Sequence, residues 1–253
     1  MYRLVVLFIL FTCFAIPFSL ASQYVVDNAI GDVFVRNKGK TIGVEVGYVI
    51  KQGDTITTGR DSECYISIKN GYIKVEQNSS ITFEQLDKIA KGFKSDNVRV
   101  SGSVILSVGG VFSKDKTLNI KTQTAFATVR GTEFVIDADS RSTVVYVLEG
   151  AVGVAPLLSL TEEELIRRAV DVRKGEKIEI SEIDIINATT FIKEGNEEGY
   201  GIFLNGKKRF LIESEKERFN QRMKTLRELQ KKRKEELERK KKEYLKDPSK
   251  MFE

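Results

Sequence analysis

The chain contains no histidine in 253 residues. That absence removes Ser-His-Asp and Cys-His nucleophilic catalysis, the two-histidine-one-carboxylate iron site and every His-ligated zinc site. Proline is scarce, with three residues against 19 glycines, which argues against a Pro-rich disordered chain. Only two cysteines occur, Cys13 and Cys64. Cys13 lies in a segment expected to be removed, so the mature chain would hold one thiol and no internal disulfide. Stability must then come from packing. These absences point away from an enzyme, and the sequence assigns no catalytic residue, cofactor or metal.

What is present begins with an address. Met1-Tyr2-Arg3 is a minimal positive start, and Leu4 to Leu20 is almost wholly apolar. Ser19-Leu20-Ala21 then places small residues at the −3 and −1 positions, so residues 1–21 read as a signal peptide cleaved after Ala21. The rival reading is an uncleaved membrane helix, because the run is near the lower spanning limit of ~17 residues. Both readings put the rest of the chain on the periplasmic or extracellular face of the cell envelope and argue against a nucleic-acid partner.

The net charge of +5 is unevenly spread. From Leu204 to Glu253 there are 18 Lys/Arg against 10 Asp/Glu, whereas the rest of the chain has 23 against 26. A mildly acidic body is joined to a basic tail.

From residue 22 to 186 the recurring signal is short runs of alternating Val, Ile, Phe and Thr broken by Gly and Asp. Val33-Phe34-Val35, Cys64 to Ile68, Tyr72 to Val75, Val98-Arg99-Val100 and Val104-Ile105-Leu106 are examples, followed by Leu118 to Ile120, Glu133 to Ile136, Val144 to Leu148, Val152 to Val154 and Lys177 to Ile180. Asn70-Gly71 is the best hairpin signal. The pattern predicts an all-β domain: a two-sheet sandwich, a jelly-roll-like fold or a short β-solenoid. One short helix is expected within it, opened by the capping box Thr161 to Glu164. A faint echo links Gly31-Asp32-Val33, Gly102-Ser103-Val104 and Gly150-Ala151-Val152, and another links Lys51 to Ile56 with Arg173 to Ile178, compatible with a decayed repeat.

The most distinctive stretch runs from Thr122 to Val154. It contains Thr122-Gln123-Thr124-Ala125, then Val129-Arg130-Gly131-Thr132-Glu133-Phe134, then Val147-Leu148-Glu149-Gly150-Ala151-Val152. Upstream stands Gly53-Asp54-Thr55-Ile56-Thr57-Thr58-Gly59. In order and separation these resemble the FecR domain family, whose marks are Gly-Asp-x-Ile-x-Thr-Gly, Thr-Pro-x-Ala, Val-Arg-Gly-Thr-x-Phe and Val-Leu-x-Gly-x-Val. The resemblance covers roughly residues 29–182, with Gln123 in place of the usual Pro and Thr128 where Gly is common. It implies an extracytoplasmic all-β domain. The name-giving members relay a signal across a membrane to a sigma factor through a cytoplasmic segment. Only Met1 to Arg3 precede the apolar run here, so the expectation is an envelope binding module and not that relay.

Several residues invite a functional reading. Arg130 could pair an anionic ligand, although a turn arginine more often satisfies carbonyls or an acid beside it. Asp137 and Asp139 could begin a Ca²⁺ site but lack the further oxygen ligands such a loop needs. Asp54, Asp61, Glu133 and Glu149 could supply a glycosidase pair only in the weak sense that any chain has acids. Cys64 alternates with apolar neighbours and reads as a small buried residue. Tyr65 and Tyr72, across the Asn70-Gly71 hairpin, are the aromatics a glycan-binding face would use.

Residues 187–206, rich in Gly and Glu, read as a linker. Beyond them, 207–253 reads as a long basic helix with a weak coiled-coil character, free of Gly and Pro from Leu211 to Lys246. Its apolar seam, Ile212, Phe219, Met223 and Leu226, supports about two good heptads. Phe219, Met223 and Leu226 are therefore candidate binding residues, docking on the β body or on a partner. The leading expectation is a non-enzymatic scaffold module whose C-terminal helix docks another envelope protein or a second copy. Peptidoglycan or glycan binding, contact with the wall or an anionic surface, and membership of a signalling system are the alternatives.

Overall fold

The computed structural model describes residues 24–68, 71–90, 93–108, 116–129 and 131–246. The expected signal peptide, Cys13 and Arg130 lie outside the described residues. The described chain forms sixteen strands and four helices, and the strands join in one large mixed sheet. Everything hangs on β8 (Phe93–Val108), which takes part in two sets of ladders.

Residues 93–101 of β8 belong to one wing, in the order β3 (Lys40–Gly43), β2 (Val33–Asn37), β4 (Thr55–Thr58), β7 (Ser80–Ala90), β8, β9 (Lys116–Lys121), β10 (Ala125–Val129), β13 (Ala151–Pro156) and β14 (Val170–Arg173). Residues 102–108 belong to the other, in the order β1 (Val25–Ile30), β5 (Glu63–Ile68), β6 (Gly71–Val75), β8, β11 (Glu133–Ala138), β12 (Ser142–Glu149), β15 (Glu176–Ser181) and β16 (Lys208–Phe210). We call them the second-named wing A and the first wing B. Among the described residues only β8 and β9 pair in parallel. A parallel-stacked solenoid does not form, and instead of two independent sheets there is one sheet creased at β8. The expected strands Val98 to Val100 and Val104 to Leu106 are the two halves of that single strand. Ile56, Phe83, Val98, Phe126 and Val154 of wing B share one core with Val26, Ile66, Ile73, Phe134 and Ile178 of wing A.

The crease falls at Gly102, whose φ of +86° is a backbone state that L-residues seldom adopt. A methyl there would also meet Ser79 Cα and Cβ at 2.7 Å. Other passages between the wings carry left-handed residues as well: Gly31 between β1 and β2, Asp61 between β4 and β5, Asn78 between β6 and β7, Gly131 between β10 and β11, Gly150 between β12 and β13, and Gly175 between β14 and β15. The Gly-x-Val echo at 31, 102 and 150 is thus a corner signal. The corners also expose a topological repeat. Strands β4 to β8 and β10 to β15 follow the same path, β4–β7 and β10–β13 pairing in wing B, β5–β6 and β11–β12 pairing in wing A. Gly102 inside β8 corresponds to Gly175 between β14 and β15.

Helix α1 (Glu162–Arg168) carries the capping box: Thr161 Oγ1 accepts from the Glu164 amide and the Glu164 carboxylate accepts from the Thr161 amide. Leu165 enters the core, and Glu162 pairs with Lys88 and Lys121. The expected linker at 187–206 is instead a helical hairpin, α2 (Glu182–Lys193) and α3 (Glu197–Asn205). Its Gly and Glu content misled because Ala188, Tyr200 and Leu204 form a buried face and Phe191 stacks near Phe203 at 5.6 Å. The chain then adds β16 where helix was expected, and α4 spans Glu213–Lys246.

Gly102→Ala is expected to destabilise the domain by about 3 kcal/mol, combining a left-handed backbone with a clash. Gly39→Ala, also at positive φ (+79°) but with nothing within 4 Å, should cost only about 1 kcal/mol. Equal losses in chemical denaturation would show that the crease at Ser79 contributes nothing.

Candidate functional site

Strands β5, β6, β8, β11 and β12 are apolar on both faces. Cys64, Ile66 and Ile73 point into the core, while Tyr65, Tyr72, Ile105, Val135 and Tyr146 form a second cluster on the outer face of wing A. A sheet whose strands are buried on both sides needs a cover. The cover is α4: Phe219, Met223 and Leu226, with Leu211 just before the helix, close over that cluster, and Phe219 lies 4.2 Å from the Tyr146 ring centre. Phe219, Met223 and Leu226, read as binding residues, are therefore brought together and spent within the chain. Ile212, placed in the same seam by sequence, is 64% exposed; its neighbour Leu211 turns inward in its place.

Polar contacts fix the helix's register. Arg222 reaches across to Glu76 (Nη2 to Oε2, 2.6 Å) and to Asp137 (Nη2 to Oδ1, 3.0 Å), with Ser103 Oγ beside both carboxylates. Arg227 pairs with Glu133 at 2.7 Å, and Glu215 pairs with Lys177 of β15. Beneath them lies Lys74, almost wholly buried, at 2.7 Å from Glu63 and 3.5 Å from Glu76. Tyr65 donates its hydroxyl to Glu63 at 2.6 Å. Burial alone would raise the Glu63 pKa, yet the hydrogen bonds from Lys74 and Tyr65 hold it below the usual carboxylate range. The Lys177 bond lowers that of Glu215.

The other candidate residues are dispersed. Asp137 is engaged by Arg222, while Asp139 accepts the Arg141 and Ser142 amides and closes the β11–β12 hairpin. Glu149 pairs with Lys174, Glu133 with Arg227 and Asp61 with Arg60. Asp54 is buried and receives the Asn37 side-chain amide, the Tyr48 hydroxyl at 2.9 Å and the Lys51 amide at 2.8 Å. These acids serve separate structural tasks. The Cys64 thiol is buried and its pKa is pushed up to about 12 by desolvation, so it is protonated and unreactive at neutral pH. Beside the undescribed Arg130, the distinctive motifs meet at a corner: a methyl on Gly150 would lie 2.5 Å from Thr132 Cγ2 and 3.1 Å from the Gly131 carbonyl oxygen.

Residues 54–153 match the family described as FecR protein. Over that stretch the chain is similar to FecR proteins. Among curated proteins none matches significantly. Two crystal structures from Parabacteroides distasonis ATCC 8503, both given the name of an anti-sigma factor, are similar at 14% and 13% identity with TM-scores of 0.40. The alignments cover 50% and 55% of this chain and 54% and 63% of those chains. The FecR match starts at the Asp54 hub and ends within β13, so it includes every strand of the Tyr-rich outer face. Helix α4, which covers that face, lies outside it.

Phe219→Ala should destabilise α4 docking by about 3 kcal/mol, the cost of emptying an aromatic site. It should be read as faster amide exchange in 215–229 with β5 and β6 less affected. Acid should act in the same direction. Glu63 and Glu215 have folded pKa values below their unfolded ones, so their contribution is complete above an unfolded pKa of ~4.3 and is lost as pH falls through the folded values. Amide protection of α4, corrected for intrinsic exchange, should hold steady from neutral pH to about 5 and decline below that; protection unchanged down to full carboxylate protonation would refute the ionic lock.

Proposed function

We propose that the chain is an exported, non-enzymatic interaction module of the cell envelope, with the FecR domain as platform and α4 as the arm that docks another envelope protein. The observation that carries this reading is the division of labour along α4. Its apolar residues up to Leu229 are committed to the sheet, while the described side chains farther on, Lys231, Lys232, Glu235 and Arg239, are exposed. A 34-residue helix is about 50 Å long, so roughly half of it extends past the last residue that packs on the sheet. A helix of that length exceeds what covering five strands requires.

Glycan binding is less well supported. Tyr65 and Tyr72, the aromatics it would use, are each 2% exposed beneath α4. The FecR match favours a second reading, in which the same platform is the extracytoplasmic part of a signalling system that reports through its partner. Among the described residues no helix is long and apolar enough to cross a membrane.

In-cell lysine crosslinking of the full chain, compared with a chain ending at Gln230, tests the arm. The expected result is one dominant envelope protein linked through lysines 231–246 and lost on truncation, with the β domain still folded. Equal recovery from both chains would remove the arm from the mechanism. Altered transcription on gene deletion, restored by the full chain only, would move the conclusion to the signalling reading.

A further inference from the structure

The end of the domain from which the chain emerges is unlike the rest of its surface. Tyr24, the first described residue, is buried against Phe83 and donates its hydroxyl to Asp96 at 2.6 Å. The loop that follows β3 is stitched to it: the Ile50 amide donates to the Tyr24 carbonyl, the Val26 amide to Tyr48, and the Gly47 amide to Val26. The Asp54 carboxylate then gathers Asn37, Tyr48 and Lys51, which holds the β2–β3 hairpin beside that loop. On this assembled tip Ile42, Val46 and Val49 are 56%, 66% and 39% exposed. They are interleaved with exposed Arg36, Lys38, Lys40 and Lys51, and Glu45 is the one acid from residue 34 to 51.

Neither feature is needed to build the hairpin. Lys38 and Gly39 form its turn with φ of +47° and +79°, a geometry in which Asn-Gly or Gly-Gly would be less strained than Lys-Gly. Lys38, held in the left-handed region and making no side-chain hydrogen bond or ion pair among the described residues, is placed there at a cost to the fold. Bulky aliphatic side chains ringed by long cationic ones are suited to a charged interface over a hydrocarbon layer: the aliphatics enter, and the lysine stems lie along the boundary with their ammonium groups among anionic headgroups.

We propose that this tip rests on an anionic lipid bilayer. The occupant follows from the chain itself as well as from charge. The apolar run of residues 4–20 ends four residues before Tyr24, a reach of about 14 Å. The tip is therefore delivered next to whatever membrane that run enters. The contact rests on the uncleaved reading of residues 1–21, in which the apolar run stays in the membrane, and not on the α4 arm, so the two proposals can fail separately.

The test uses the full chain reconstituted in vesicles, with Cys13→Ser, buried Cys64 retained, and a single environment-sensitive fluorophore at Val46→Cys. A second protein carries the label at Ser140→Cys, which shares a surface cleft with Ser80 and Ser101 beside the Gly102 crease, away from the tip. In vesicles of phosphatidylglycerol and phosphatidylethanolamine with brominated acyl chains, the Val46 label should lose at least half its emission and the Ser140 label should not. In phosphatidylcholine alone, or with Lys38→Glu and Lys40→Glu together, quenching at Val46 should fall about tenfold in apparent affinity. Equal quenching at Val46 in anionic and zwitterionic vesicles would mean simple tethering by the N-terminal segment and would overturn the proposal. So would an unquenched Val46 label, or quenching of both labels alike.

Discussion

A strand that serves two ladders at once must reverse its facing at one residue, and every other element here is arranged around that reversal. In β8 it occurs at Gly102. Residues before it hydrogen-bond to β7 and β9, residues after it to β6 and β11. Had the strand continued straight, the two wings would have been one flat sheet with its apolar side open to water. Bending it by a left-handed residue closes Val98 and Val100 over Val104 and Leu106 in a common core. The close packing of Gly102 against Ser79 ties this bend to the β6–β7 corner, where Asn78 is also left-handed. A crease shared by adjacent corners is harder to flatten than one on its own.

The same logic explains which parts of the fold were legible in sequence. Runs such as Val33 to Val35, Val152 to Val154 and Ile178 to Ile180 alternate between buried and more exposed residues, and period-two burial is readable in a single strand. The corners were visible as Gly-x-Val, but their meaning was not, because a positive φ leaves no mark beyond the glycine itself. The proposed repeat therefore appeared in a different register: Lys51 to Ile56 was matched with Arg173 to Ile178, whereas the topology aligns Gly175 with Gly102. β7, β10 and β14 were less legible although Ile81, Phe83, Phe126, Val129 and Val172 all lie in the core, because β10 and β14 are only five and four residues long and the pairing of β7 shifts register on either side of Gln85. The α2–α3 hairpin was missed for a related reason, since Tyr200 and Leu204 are too few to give a periodic signal yet enough to anchor a short helix.

The outer face of wing A did leave a trace. Phe134-Val135-Ile136, Val104-Ile105-Leu106 and Val144 to Leu148 are uninterrupted apolar runs, as expected for strands covered on both sides and not for one side facing solvent. That trace asks for a cover without saying which segment supplies it. Phe219, Met223 and Leu226 had the spacing of a helical stripe, which is equally suited to a partner chain and to a neighbouring sheet. Only the three-dimensional path of the chain through β16 and Leu211 decides between them. Arg130, the residue that most invited a functional reading in sequence, lies outside the described residues; of its neighbours, Val129 is in the core and Gly131 packs at the corner beside Gly150.

Charge completes the assignment of roles along α4. Exposed ion pairs contribute little to stability, so the docking energy comes from the buried aromatic and aliphatic contacts. The ionic contacts do something else. Sliding the helix by one turn would take Arg222 away from Glu76 and Asp137 and leave these part-buried carboxylates without their guanidinium, at a cost well above that of losing a surface pair. The acids of the body and the bases of the tail thus select one register among several that the apolar stripe alone would tolerate. Past Leu229 the described basic side chains, Lys231, Lys232 and Arg239, are exposed. Their charge is available to something outside the domain.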